Sequence, residues 1–279
     1  MFFQENIFLF CCGARLKNFS VYVRMGTYLE LGRRVFEGLY WKGEFFVINA
    51  FLLIGQSNMA GRGYLQGASL LDHPDILMFR DGKWQQAHEP VHQDRSFAEA
   101  GLCMSFADTL RQDGRQIGVI PCAMGGSALD EWKPGDELFE NACRQAEQAV
   151  QEGAVLKGFL WHQGEADSEV LETAETYCER FLAMISEMRR RLHGEGLPVV
   201  LGELGEYLEN REGSPYWKEV NAQIHQIADG RRGFAVVSSE GLKDRGDILH
   251  FDTPSLRIFG VRYAQAWKEC AAQMGISLE

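Results

Sequence analysis

Residues 47–58 read VINAFLLIGQSN, and the rest of the chain is read outward from this stretch. From Val47 to Gly55 the run is almost wholly apolar. That suits a parallel strand buried on both faces, since an alternating pattern would mark a half-exposed one. The run stops at Gly55, and Ser57 stands two residues later. Three loop motifs compete for this turn. A phosphate loop needs four residues between its glycines and then Gly-Lys-Ser/Thr, whereas Gly55 and Gly61 are separated by five residues and no Lys follows. A dinucleotide loop needs GxGxxG, and Gly67 comes one residue too late after Gly61 and Gly63. The GxSxG elbow fails because Met59 stands at its second Gly. Two readings stay open for Ser57: a nucleophile at the end of a first buried strand, or a cap for the next helix.

Further strands follow at QIGVIPCAMGG (116–126), VLKGFLWHQGE (155–165), PVVLGELG (198–205) and FAVVSS (234–239). Between them, 97–114, 137–153, 169–192 and 216–230 carry helical patterning. A last helix begins after Thr253-Pro254, a cap residue followed by Pro at the first helical position. Strands alternating with helices predict an α/β domain over 46–279, with a central five-stranded parallel sheet covered on both faces. In such sheets the site lies beyond the carboxyl ends of the strands.

Composition narrows the partners. The net charge of −11 disfavours nucleic acid and anionic lipid. No run of 18 uncharged apolar residues suggests a membrane span. Seven scattered cysteines without a CxxC pair fit a reduced, cytoplasmic chain. Residues 1–50 carry +2 against −13 for the rest. The segment 1–45 is therefore expected to be an appendage, a hairpin around Lys42-Gly43, or the product of a start codon placed too early. Nothing in the pattern sets an oligomeric state.

Three more post-strand loops hold unusual chemistry. In CAMGGSALDEW (122–132), Gly125 and Gly126 let backbone approach a ligand and aim an N–H at it, or form an ordinary turn. In FLWHQGEAD (159–167), Gln163 could donate its amide to an oxyanion, and Glu165 could orient a His or hold substrate. His162 with Glu165 invites a metal reading, but no HExxH or second His pair accompanies them. In GDILHF (246–251), Asp247 stands three residues before His250, close enough on a tight turn to fix its tautomer and leave the other ring nitrogen for a Ser proton. Alone, a DxxH is more often a surface turn.

The ordered blocks GQSNMAG, GGSALDEW, WHQGEAD and DILHF resemble those of SGNH-type hydrolases, and within them the sialate O-acetylesterase-like, carbohydrate esterase family 6 branch that includes acetyl xylan esterases. The resemblance spans residues 51–251. It implies a three-layer α/β/α, flavodoxin-like fold and ester hydrolysis with no metal or cofactor. It matches Ser57 to the nucleophile and His250 to the base, with Asp247 as the acidic partner and Glu165 as rival or accessory. It matches the Ser57 amide, Gly125 or Gly126, and Gln163 to the oxyanion hole. Gln56, Asn58, Trp132 and His162 are the expected substrate contacts. The expected substrate is an acetylated carbohydrate, of sialic acid or xylan type. A general short-chain esterase or thioesterase, or a carbohydrate-binding protein without turnover, are the competing functions.

Overall fold

The computed structural model describes residues 47–111 and 115–278. The expectations for 1–45 lie outside this range. The described chain forms one mixed sheet of seven strands: β1 (Ile48–Gly55), β2 (Ile76–Arg80), β3 (Lys83–Gln86), β4 (Gln116–Pro121), β5 (Ala154–His162), β6 (Val199–Gly202) and β7 (Phe234–Val237). Their order is β3-β2-β4-β1-β5-β6-β7. All pairings are parallel except the edge hairpin β2–β3. The five expected strands are all present, and the hairpin is the addition.

The helices are α1 (Ser57–Ala60), α2 (Cys103–Leu110), α3 (Glu137–Gln151), α4 (Leu171–Glu175), α5 (Tyr177–Arg191), α6 (Trp217–Ala228) and α7 (Thr253–Met274). Two expected helices are shorter than their patterns. The first starts only at Cys103, because Gly63 and Ala100 pair as an isolated antiparallel bridge and hold the preceding chain extended. The stretch 169–192 breaks at Thr176 between α4 and α5.

The apolar run of β1 is continuous because the strand faces two cores. Ile48, Ala50, Leu52 and Ile54 point to one, with Phe139 of α3, Phe181 and Ile185 of α5, and Ile224 of α6. Phe51 and Leu53 point to the other, with Phe106 of α2 and Phe259, Tyr263 and Trp267 of α7. Phe51 meets Phe106 and Trp267 edge-on, at ring centroid distances of 4.9 and 5.1 Å. Helices therefore cover both faces, which is the three-layer arrangement. Because the strands flanking β1 run parallel to it, β1, β4 and β5 end at one sheet edge. After β4 the chain crosses β1 to place β5 on its far side, which makes the end of β1 the switch point of the topology.

Candidate active site

Gly55 ends β1 with φ 127, and a Cβ there would collide with the backbone of His162 on β5. Only glycine fits so close to the neighbouring strand with this backbone. The chain then turns straight into α1, whose first residue is Ser57. The Ser57 hydroxyl faces His250, with Oγ 3.0 Å from Nε2. His250 Nδ1 lies 2.7 Å from Asp247 Oδ2.

The loop carrying Asp247 and His250 is built by its own carboxylates. Asp247 Oδ1 accepts the backbone N–H groups of Leu249 and His250. Asp244 Oδ2 accepts those of Gly246 and Ile248, both at 2.8 Å. Ile248 takes a left-handed φ of 55. Arg245 Nε donates to Asp247 Oδ2 at 2.7 Å, and Arg245 Nη1 donates to the Arg62 carbonyl, tying this loop to the one after α1.

Electrostatics suit a base. Burial pushes the Asp247 carboxyl up, but hydrogen bonds from His250 and Arg245 together outweigh it and hold the group well below the carboxylate range. Burial lowers the His250 pKa below 6.5, and Asp247 opposes this without cancelling it. The imidazole is therefore neutral at pH 7, with Asp247 accepting from Nδ1 and Nε2 left to accept from Ser57. The described cysteines are free and buried, and burial pushes the Cys103, Cys122 and Cys143 thiols up to about 12. They make poor rivals to Ser57 as nucleophiles.

A cleft of about 300 Å³ opens over Ser57 and His250, with Gln56, Gly125, Gly126, Glu165, Arg95, Phe97 and Arg211 in its walls. A larger groove of about 740 Å³ lies around Tyr64 and Thr253 but contains neither Ser57 nor His250. The glycine turn is shaped by a buried ion pair. Arg62 and Asp94 bond at 2.5 Å, and Asp94 also accepts the Gly125 N–H at 2.8 Å. A Cβ on Gly125 would stand 2.7 Å from Asp94 Oδ2 and collide with Arg62. Gly126 follows with φ 84 and open space around its Cα. Among the described residues, no acceptor takes the N–H of Ser57 or of Gly126.

Four expected contacts fall elsewhere. The Gln163 side chain is fully buried: its Nε2 donates to the Ser127 carbonyl and to Asp167, and its Oε1 accepts from Tyr177. Its amide is spent inside and is not offered to an oxyanion. Trp132 is buried against Trp161, centroids 5.4 Å apart, with Nε1 donating to Ser127 Oγ beneath the glycine turn. His162 is buried among Phe251, Phe259 and Tyr263. The Asn58 side chain is turned inward to Glu165, Leu249 and Phe251. None of these three lines the cleft. Gln56 does, while its Oε1 also accepts from the N–H groups of Gly164 and Ala166.

Arg62, Asp94, Arg95 and Arg211 are site residues that sequence reasoning missed. Asp94 and Arg95 sit in a loop without periodicity, and Arg211 follows a short 3-10 turn. The one local signal was Arg62 set between two glycines.

The family model for sialic acid-specific acetylesterases, a group of carbohydrate esterases, matches residues 47–269. A probable carbohydrate esterase of Arabidopsis thaliana is 30% identical over 243 residues, covering 78% of this chain and 89% of that protein. The crystal structure of that Arabidopsis protein covers 79% of this chain and 98% of its own, with a TM-score of 0.71 and 28% identity. The crystal structure of NanS shares the fold, with a TM-score of 0.66 and 17% identity over 81% of this chain and 98% of that one.

Proposed function

Since the chain belongs to the sialic acid-specific acetylesterase family of carbohydrate esterases, we propose that it removes O-acetyl groups from a sugar through an acetyl-Ser57 intermediate. The observation that carries this reading is the unbroken chain from Ser57 Oγ through His250 to Asp247, at 3.0 and 2.7 Å. Membership of the family makes the protein a carboxylic ester hydrolase.

His250 Nε2 takes the Ser57 proton as Oγ attacks the acetyl carbonyl. Charge develops on the carbonyl oxygen, and the N–H groups of Ser57 and Gly126 are the donors free to meet it. Each such donor contributes roughly 3–4 kcal/mol to lowering the barrier. Gly125 serves by placing Gly126, since its own N–H is held by Asp94. The C–O bond to the sugar then breaks, and the sugar oxygen leaves with the proton from His250. Water attacks the acetyl-serine with His250 again as base, releasing acetate and restoring the Ser57 hydroxyl. Asp247 keeps the imidazole in the needed tautomer and stabilises the imidazolium.

Two arginines in a cleft wall that also holds Glu165 and Glu169 support a carboxylate-bearing sugar over neutral xylan as the substrate we propose. Among the described residues, Arg95 donates only to the carbonyls of Asp94 and Gly125, and Arg211 Nε is buried without a hydrogen-bond partner. Among the described residues neither is paired to a carboxylate, in a chain with 39 acidic residues. Acetate release from O-acetylated sialic acid and from acetylated xylo-oligosaccharides, measured side by side, tests the reading. Faster release from xylan would reverse the substrate preference, and release from neither would remove the sugar assignment.

A further inference from the structure

Glu165 lines the cleft but does not touch His250; the carboxylate bonded to that ring is Asp247. Glu165 is 3% exposed, and one hydrogen-bond donor reaches its side chain among the described residues: Asn58 Nδ2 to Oε1 at 2.5 Å. Among the described residues its Oε2 has no hydrogen-bond partner, and His162 Nε2 faces Oε1 at 3.4 Å. Burial pushes the Glu165 carboxyl up, but His162 and Asn58 beside it outweigh that and hold it below the ordinary carboxylate range, so it stands as an ionised acceptor.

Its one donor has a telling position. Asn58 is adjacent to Ser57 in the chain, and its other contacts fall on both sides of His250. Nδ2 donates to the Leu249 carbonyl at 3.2 Å, and Oδ1 accepts the Phe251 N–H at 3.1 Å. A side-chain amide can be placed two ways round, and only one serves both contacts. An ionised carboxylate accepts and cannot donate, so it admits only the Nδ2 end. Turned over, Asn58 would aim Oδ1 at the charge and lose its bonds to both flanks of His250, leaving Leu249 to Asp247 and Tyr207.

We infer that Glu165 is a positioning residue that acts on His250 through Asn58, fixing the amide that holds Leu249 and Phe251 in place beside Ser57. This rests on the proposed serine-esterase reading. Glu165 does not replace Asp247; it sets the distance across which Ser57 and His250 exchange a proton.

Steady-state hydrolysis of 4-nitrophenyl acetate tests it, using wild type, Asn58→Ala, Glu165→Leu, the double variant and Glu165→Gln. Asn58→Ala should lower kcat about 100-fold, as misplacement on the order of 1 Å does, with KM within about twofold. Glu165→Leu should match it, and the double variant should be no worse than either, because both break one linkage. Glu165→Gln still offers Asn58 an acceptor and should stay within about tenfold of wild type. It also serves as the deciding variant if Glu165→Leu does not fold. A Glu165→Gln protein as inactive as Asp247→Asn would show Glu165 acting directly as the acid and overturn the inference. So would multiplying losses in the double variant, or an Asn58→Ala kcat within about twofold of wild type. If wild type itself had no turnover, the esterase reading would fall first and this inference with it.

Discussion

His250 Nε2 stands 3.0 Å from Ser57 Oγ, although the two residues are 193 positions apart in the chain. The contact exists because β1 ends at the switch point of the sheet and the loop before α7 returns across that same edge. Asp247 joins from within the His250 loop, at 2.7 Å.

The pH dependence follows from this arrangement. The His250 pKa is lowered from 6.5 by burial, and a base works in its neutral form. Activity should thus persist below pH 6.5 and be lost as pH falls through the folded-state value. Asp247 is the partner that raises that value, so Asp247→Asn should move the acid limb further down. It should also lower the plateau by roughly 10³–10⁴-fold through loss of the tautomer. A pH profile of kcat/KM for both proteins checks limb and plateau together.

The two glycines should fail differently when replaced. Gly126→Ala meets open space but carries φ 84, so it should lose about 1–2 kcal/mol of stability along with turnover. Gly125→Ala drives a methyl into Arg62 and Asp94, and should damage the turn more severely. Thermal denaturation and kcat for each variant separate backbone strain from collision.

Arg211→Ala should raise KM about tenfold or more for an acetylated sugar bearing a carboxylate, the scale of one lost charge-assisted hydrogen bond. It should leave 4-nitrophenyl acetate hydrolysis nearly unchanged. Equal effects on both substrates would mean that Arg211 shapes the cleft and reads no charge.

Trp132→Ala should lower stability by about 3–5 kcal/mol, since the ring is fully buried against Trp161. Chemical denaturation gives the loss directly. A raised KM with unchanged stability would return Trp132 to the role of substrate contact.

How far the sequence could be read depends on which forces leave a local trace. β1, β4, β5, β6 and β7 are buried, and burial writes an apolar run into the chain. β3 is an edge strand with no fully buried side chain, so no such run exists. Its local trace is the turn pair Asp81-Gly82, both at positive φ, a β-hairpin signature. At the site, the residues carrying Ser57, Gly126, Asp247 and His250 announce themselves by lying just beyond apolar strands or within one turn of each other. The side-chain directions of Gln163, Trp132, His162 and Asn58 do not. Each of these side chains packs inward, because packing against Tyr177, Trp161, Phe251 and Glu165 is decided between distant segments.

The central claim is that Ser57 is a nucleophile activated by His250 and Asp247. Labelling with a fluorophosphonate, followed by peptide mass mapping, tests it most directly, because such a probe reacts far faster with an activated serine than with an ordinary one. The expected result is one adduct on Ser57 in the wild type, none in Ser57→Ala, and much slower labelling in Asp247→Asn. An unlabelled wild type, or an adduct on any other residue, would contradict the account.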